Sequence, residues 1–183
     1  MKTRIFIILF IVFISTVSLF YYGVTHKNEY INDAKRVSDY FEKGKYYQTI
    51  ISFFKIKKEM DLRLETLYLF DYKENPEKFM YCIEVLNYVS NYKYNGKQQV
   101  NKHPSSNKFA IEYTVQMETG NDTKIYELPV FFNESFDCFG IPRGYPRKDS
   151  NYENVIFYRL SDEKIRQLVK KLFDTAASVR KIF

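Results

Sequence analysis

FAIEYTVQMETGNDTKIYELPVFF, residues 109–132, alternates apolar and polar side chains on both sides of a turn. Phe109, Ile111, Tyr113, Val115 and Met117 share one face of an extended chain, while Ala110, Glu112, Thr114, Gln116 and Glu118 share the other. That period predicts a strand with one dry and one wet face. Gly120-Asn121-Asp122 supplies a turn, and Tyr126, Leu128, Val130 and Phe132 resume the alternation. Pro129 has no N–H for a ladder, which predicts an edge position or a bulge there. An antiparallel sheet is therefore the centre around which the remaining chain is arranged.

Downstream, residues 133–154 read as a long irregular stretch holding Gly140, Pro142, Gly144 and Pro146. Val155–Tyr158 reads as one more short strand. Ser161 then stands as the cap of a helix with Asp162 and Glu163 in its first turn. Ile165, Leu168, Val169, Leu172, Phe173, Ala176 and Val179 form an apolar stripe at helical spacing.

Upstream, Asn95-Gly96 between Tyr92–Tyr94 and Gln98–Val100 predicts a hairpin. Phe79, Tyr81, Ile83 and Val85 alternate and are read as a strand, on the strength of their β-prone side chains. The competing reading is a helix opened by Asn75-Pro76, with Phe79, Ile83 and Leu86 on one side. Leu62, Leu64, Leu67 and Leu69 point to another strand region. Tyr30, Ala34, Val37 and Phe41 recur on one helical face; Gly44 interrupts it, and Tyr47, Ile50, Ile51 and Phe54 are expected to continue as helix. The sum is an α+β domain, with amphipathic helices, an antiparallel meander and a C-terminal helix packed on one sheet face.

The N-terminus is different in kind. Lys2 and Arg4 precede an apolar run, and Ile5 to Thr25 makes 21 residues free of charged side chains. As a helix that run would be about 31 Å long, matching a bilayer's hydrocarbon thickness. Tyr21 and Tyr22 lie at its far end, where amphipathic rings suit the headgroup layer. Thr16-Val17-Ser18 is a poor cleavage site because Leu19, Phe20, Tyr21 and Tyr22 follow it. Residues 1–26 are thus read as a signal-anchor, N-terminus inside. Residues 27–183 are read as one extracytoplasmic domain. Cleavage and secretion is the alternative.

Composition narrows the function. Six Gly, five Pro and two Cys exclude collagen-like and disulfide-dense scaffolds. Residues 27–183 hold 26 basic and 22 acidic side chains, a net +4 that gives no reason to expect nucleic acid. The 17 Tyr and 17 Phe accompany abundant Lys, Asn and Ile, a pattern that A/T-rich codons produce without selection for binding.

Motifs for chemistry are sparse. His26 borders the apolar run, so His103 is the one imidazole within the domain, and no metal-ligand or phosphate-loop spacing exists. No cofactor is expected. Cys82 and Cys138 are a candidate disulfide for a domain outside the cytoplasm. Arg143, Tyr145, Arg147 and Lys148 form the densest basic–aromatic cluster and are a candidate partner loop. Asn121-Asp122-Thr123 and Asn133-Glu134-Ser135 match the N-glycosylation pattern. The expectation is a non-enzymatic envelope protein that binds another protein. A hydrolase working through carboxylates alone is the enzymatic alternative.

Overall fold

The computed structural model describes residues 2–46, 48–57, 63–70, 72–73, 75–94, 99–100, 109–119, 122–142, 145 and 155–179. Among these described residues, three helices and seven strands follow in the order α1 (Lys2–Glu42), β1 (Thr49–Lys57), β2 (Arg63–Phe70), α2 (Pro76–Asn91), β3 (Gln99–Val100), β4 (Phe109–Thr119), β5 (Asp122–Phe132), β6 (Cys138–Pro142), β7 (Val155–Arg159) and α3 (Glu163–Val179). All strands join one antiparallel sheet in the order β2-β1-β4-β5-β6-β7-β3. The protein is α+β.

The meander holds from β4 to β7. β1 slots beside β4, while the chain passes through α2 before β3 closes the far edge. Ile111, Tyr113 and Val115 of β4 are fully buried with Tyr126, Leu128 and Val130 of β5. Buried side chains of all three helices join them in one core. Ala110, Phe131 and Ile56 gather in a smaller cluster on the opposite face.

From Thr49 onward the expected helix over Tyr47–Phe54 is instead strand β1, and Tyr47 lies outside the described residues. Ile51 and Phe53 face the main core and Phe54 and Ile56 the smaller cluster, an alternation that only an extended chain produces. β1 pairs with β4 from Thr49↔Val115 to Lys55↔Phe109 and with β2 on its other side. Its β-branched and aromatic side chains suit that central position. The reverse correction applies to 79–85, which is helix α2. Pro76 occupies the first turn, where its missing N–H costs nothing. Phe79, Cys82, Ile83, Val85, Leu86 and Val89 then make a buried stripe.

The expected Asn95-Gly96 hairpin turn lies outside the described residues. Tyr92–Tyr94 is not a strand, and Gln99 and Val100 pair with Tyr158 and Phe157 of β7. Asp162, not Ser161, caps α3: its Oδ1 accepts the Ile165 N–H at 3.1 Å. Pro129 sits inside the sheet, opposite Glu112 of β4. On its other side β6 pairs only with Phe131 and Phe132, so the absent N–H breaks no ladder.

The aromatic residues are largely spent on packing. Phe53, Phe109, Phe132, Phe136 and Phe173 form one ring cluster. Tyr92, Tyr94, Phe139 and Tyr158 form a second, with Tyr94 and Tyr158 edge-to-face at 4.8 Å.

Helix α1 has two unlike halves. The described side chains from Ile8 to Ser18 are exposed, including Leu9, Phe10, Ile11, Val12 and Phe13. Tyr30, Ala34, Val37 and Phe41 are buried against the domain. Among the described residues no helix is long and apolar enough to cross a membrane. The side chains of residues 1–7, 19, 20, 22, 23 and 26 lie outside the described set.

Candidate functional site

A cleft of about 570 Å³ opens between α1 and β5. Glu29, Asn32, Asp33 and Arg36 line one wall, a run of i, i+3, i+4 and i+7 on α1. Lys124, Ile125 and Glu127 of β5 form the opposite wall, and Tyr145, which follows β6, closes the inner end.

Asp33 organises this cleft. Its carboxylate is 12% exposed, yet both oxygens have partners. The Tyr145 hydroxyl donates to Oδ2 at 3.0 Å, Lys124 Nζ lies 3.6 Å from the same oxygen, and Arg36 donates to Oδ1 at 3.4 Å. Arg36 is loosely held, with 64% of its side chain in solvent, while Lys124, half-exposed, also stands with its ammonium over the Tyr126 ring at 4.5 Å. Ion pairs of that length and exposure contribute little to stability.

Tyr145 is itself fixed by Tyr30, the rings standing edge-to-face at 5.3 Å. Tyr30 donates in turn to the Pro129 carbonyl at 2.9 Å. Burial, reinforced by the Asp33 carboxylate, pushes the Tyr145 phenol well above its ordinary range. It therefore stays protonated and acts as a donor. The loop residue expected to face a partner is an internal strut. Arg143, Arg147 and Lys148 lie outside the described residues.

The remaining candidates separate. Cys82 and Cys138 are both buried thiols, and the expected bridge is not formed. Cys82 belongs to the core under the helices, together with Phe139 and Ile141 of β6. Strand alternation turns Cys138 to the opposite face of the sheet from its neighbour Phe139. The sheet thus stands between the two sulfurs. Burial pushes the Cys82 thiol far above its usual range, which keeps it unreactive. His103 lies outside the described residues, and no group of three His, Cys, Asp or Glu side chains converges among those that are described.

The Asn133 side chain is committed to its own turn. Its Nδ2 donates to Ser135 at 2.7 Å and to Asp137, and its Oδ1 accepts the Cys138 N–H at 3.0 Å. In the other sequon, Asp122 and Thr123 are exposed, and Asn121 lies outside the described residues.

The cleft was legible only in part. The polar positions 29, 32, 33 and 36 read as a solvated helix flank, and nothing in their spacing announces that Tyr145 reaches Asp33. No protein-family model, curated protein or solved structure matches the chain.

Proposed function

We propose that this chain is a single-pass, membrane-anchored protein, with residues 1–26 in the bilayer, the N-terminus inside and residues 27–183 outside. The domain is a non-enzymatic binding module whose partner is another protein of the envelope.

The observation that carries this reading is helix α1. It runs unbroken from Lys2 to Glu42, with exposed apolar side chains in its first half and a buried stripe in its second. Burying the exposed apolar half in lipid satisfies it, at about 25 cal/mol per Å² removed from water. The charge-free run from Ile5 to Thr25 has the length a bilayer requires. Because one helix serves both parts, the domain is held at a fixed distance from the membrane surface.

The outer face of the sheet supports a binding role. Ile50 on β1 and Ile125 on β5 are 51% and 60% exposed. Between them lie Thr114 and Gln116 of β4, opposite Ile50 and Ile125 respectively. An apolar pair set among polar side chains is a usual form for a recognition surface. A photo-crosslinking residue at Ile50 or Ile125 in intact cells tests the reading: one defined adduct supports it. No adduct from either position, at native expression, contradicts it.

A further inference from the structure

Alternation along β1, β4 and β5 puts every second residue on the outer face of the sheet, and the strand registers set these residues in rows. Ile50, Thr114 and Glu127 make one row, Gln116 and Ile125 the next, and Glu118 and Thr123 the last before the β4–β5 turn. Thr114 is half-buried and the others are exposed. The row behind Ile50 is Ser52, Glu112 and Pro129, where Ser52 and Pro129 are buried, so the open surface ends there. Charge on this surface has one sign. Its ionisable side chains are Glu112, Glu118 and Glu127, and among the described residues of these three strands no Lys or Arg stands at an outer position. Lys55 and Lys124 occupy the alternate positions, and Lys124 is engaged by Asp33 and the Tyr126 ring. Arg36, across the cleft on α1, is paired with Asp33 as well. Both α2 and α3 carry charges of both signs, and the whole chain is +6, so a purely acidic face runs against the composition.

We propose that this face takes a basic partner: a stretch of an envelope protein that sets apolar side chains on Ile50 and Ile125 and places Lys or Arg opposite Glu118 and Glu127. The assignment rests on the binding reading above and deepens it by naming the partner's chemistry. Ile50 and Ile125 are the two large apolar contacts, and Thr114 and Gln116 between them supply hydrogen-bonding groups, the arrangement of an apolar centre within a polar rim. A guanidinium or an ammonium donates charge-assisted hydrogen bonds to the carboxylates of that rim, which speeds encounter and fixes the docked register. A neutral partner would desolvate those carboxylates without replacing their hydrogen bonds with water, and an acidic one would meet them with like charge. A second copy laying this same face on its twin would bring the glutamates of the two copies together, so pairing of like faces is disfavoured.

The test uses the full chain in intact cells, with a photo-crosslinking residue at Ile50 or Ile125 and the adduct mapped by mass spectrometry. The expected result is one defined adduct whose crosslinked stretch carries Lys or Arg. Its yield should fall by about tenfold in a Glu118→Lys, Glu127→Lys double variant of unchanged thermal midpoint, with the Glu118→Gln, Glu127→Gln pair lying between. Changing the mapped basic residues of the partner to Glu should restore the adduct to the Lys variant. Reversal of Asp39 and Asp174, exposed carboxylates on α1 and α3, should leave the yield unchanged. An adduct that survives reversal at 118 and 127, or falls equally with reversal at 39 and 174, overturns the basic partner while leaving the binding surface intact. An adduct to a second copy of this chain overturns the choice of partner. No adduct from either position contradicts the binding reading itself, and this assignment with it.

Discussion

The Tyr145 hydroxyl donates to Asp33 Oδ2 at 3.0 Å, joining positions 112 residues apart in sequence. One residue belongs to the helix that leaves the apolar segment, the other to the chain just beyond β6. Their bond, with Tyr30 bridging to the Pro129 carbonyl, fixes α1 against the sheet. Tyr145→Phe keeps the ring packing and removes the donor, leaving a mostly buried carboxylate with two exposed cations. The expected loss is about 2 kcal/mol of unfolding free energy, read by urea denaturation in detergent. Asp33→Asn, which retains an acceptor for the tyrosine, should cost less.

Gly140 is a second point of tight fit. A Cβ there would lie 2.3 Å from Val155 Cγ1 and 3.2 Å from the Phe157 ring, across the β6–β7 pair. Gly140→Ala is expected to destabilise by about 1–3 kcal/mol. Trimming Val155 to Ala in the same chain removes the nearest obstacle and should recover part of that loss. A double-mutant cycle on the denaturation midpoints checks it.

Phe136 adopts φ 53°, a left-handed conformation that a bulky side chain rarely takes. Packing holds it there: its ring stacks on Phe109 at 5.1 Å and on Phe173 at 5.6 Å. Phe136→Ala loses the packing while keeping the strained backbone, and about 3 kcal/mol of stability should go with it. Phe136→Gly relieves the backbone and is expected to be the milder change, by about 1 kcal/mol. Thermal melts of the two variants distinguish these contributions.

The buried hydroxyls and thiol predict the alkaline limb of stability. Burial raises the Tyr30 and Tyr113 phenols above 10.0 and the Cys82 thiol above 9.0, so the folded state keeps protons the unfolded chain gives up. Such groups contribute fully below the unfolded pKa, and their contribution is lost as pH rises through the folded value. Stability should therefore fall from about pH 9 upward and more steeply past about pH 10. Denaturant titrations across that range read it directly. A flat profile to pH 11 would contradict the burial of these groups.

Thiol labelling addresses the two cysteines. With the sheet between Cys82 and Cys138, neither should react in the folded protein, and both should react on unfolding without a reductant. A mass shift of one disulfide in unreduced, denatured protein would contradict that arrangement.

The sequence disclosed elements where one periodicity stood alone. Residues 109–132 alternate without ambiguity, and Ile165–Ala176 keep helical spacing, so both were legible. Residues 49–57 were not, because Tyr47, Ile50, Ile51 and Phe54 satisfy helical spacing by accident while apolar side chains on both faces of the strand, Ile51 and Phe53 on one and Ile50, Phe54 and Ile56 on the other, mask its alternation. Residues 76–91 failed in the opposite direction: alternate Phe79, Tyr81, Ile83 and Val85 hid a helix whose start Pro76 had announced. Tertiary pairing with β4 decided the first case and burial of a helical stripe the second. The candidate cleft was less legible still. Asp33 and Tyr145 gain their relation only when β5 and β6 bring the chain back to α1, and the opposite facing of Cys82 and Cys138 appears only with the register of β6.

In the proposed arrangement, one helix both anchors the chain and carries the folded domain. Membranes from cells expressing the full chain, washed with alkaline carbonate and analysed by N-terminal mass spectrometry, test it most directly. The prediction is a pelleted protein that retains residues 1–26, with its domain open to protease added outside intact cells after outer barriers are removed. Release into the wash, a mature N-terminus beyond Ser18, or a domain protected from outside protease would contradict it.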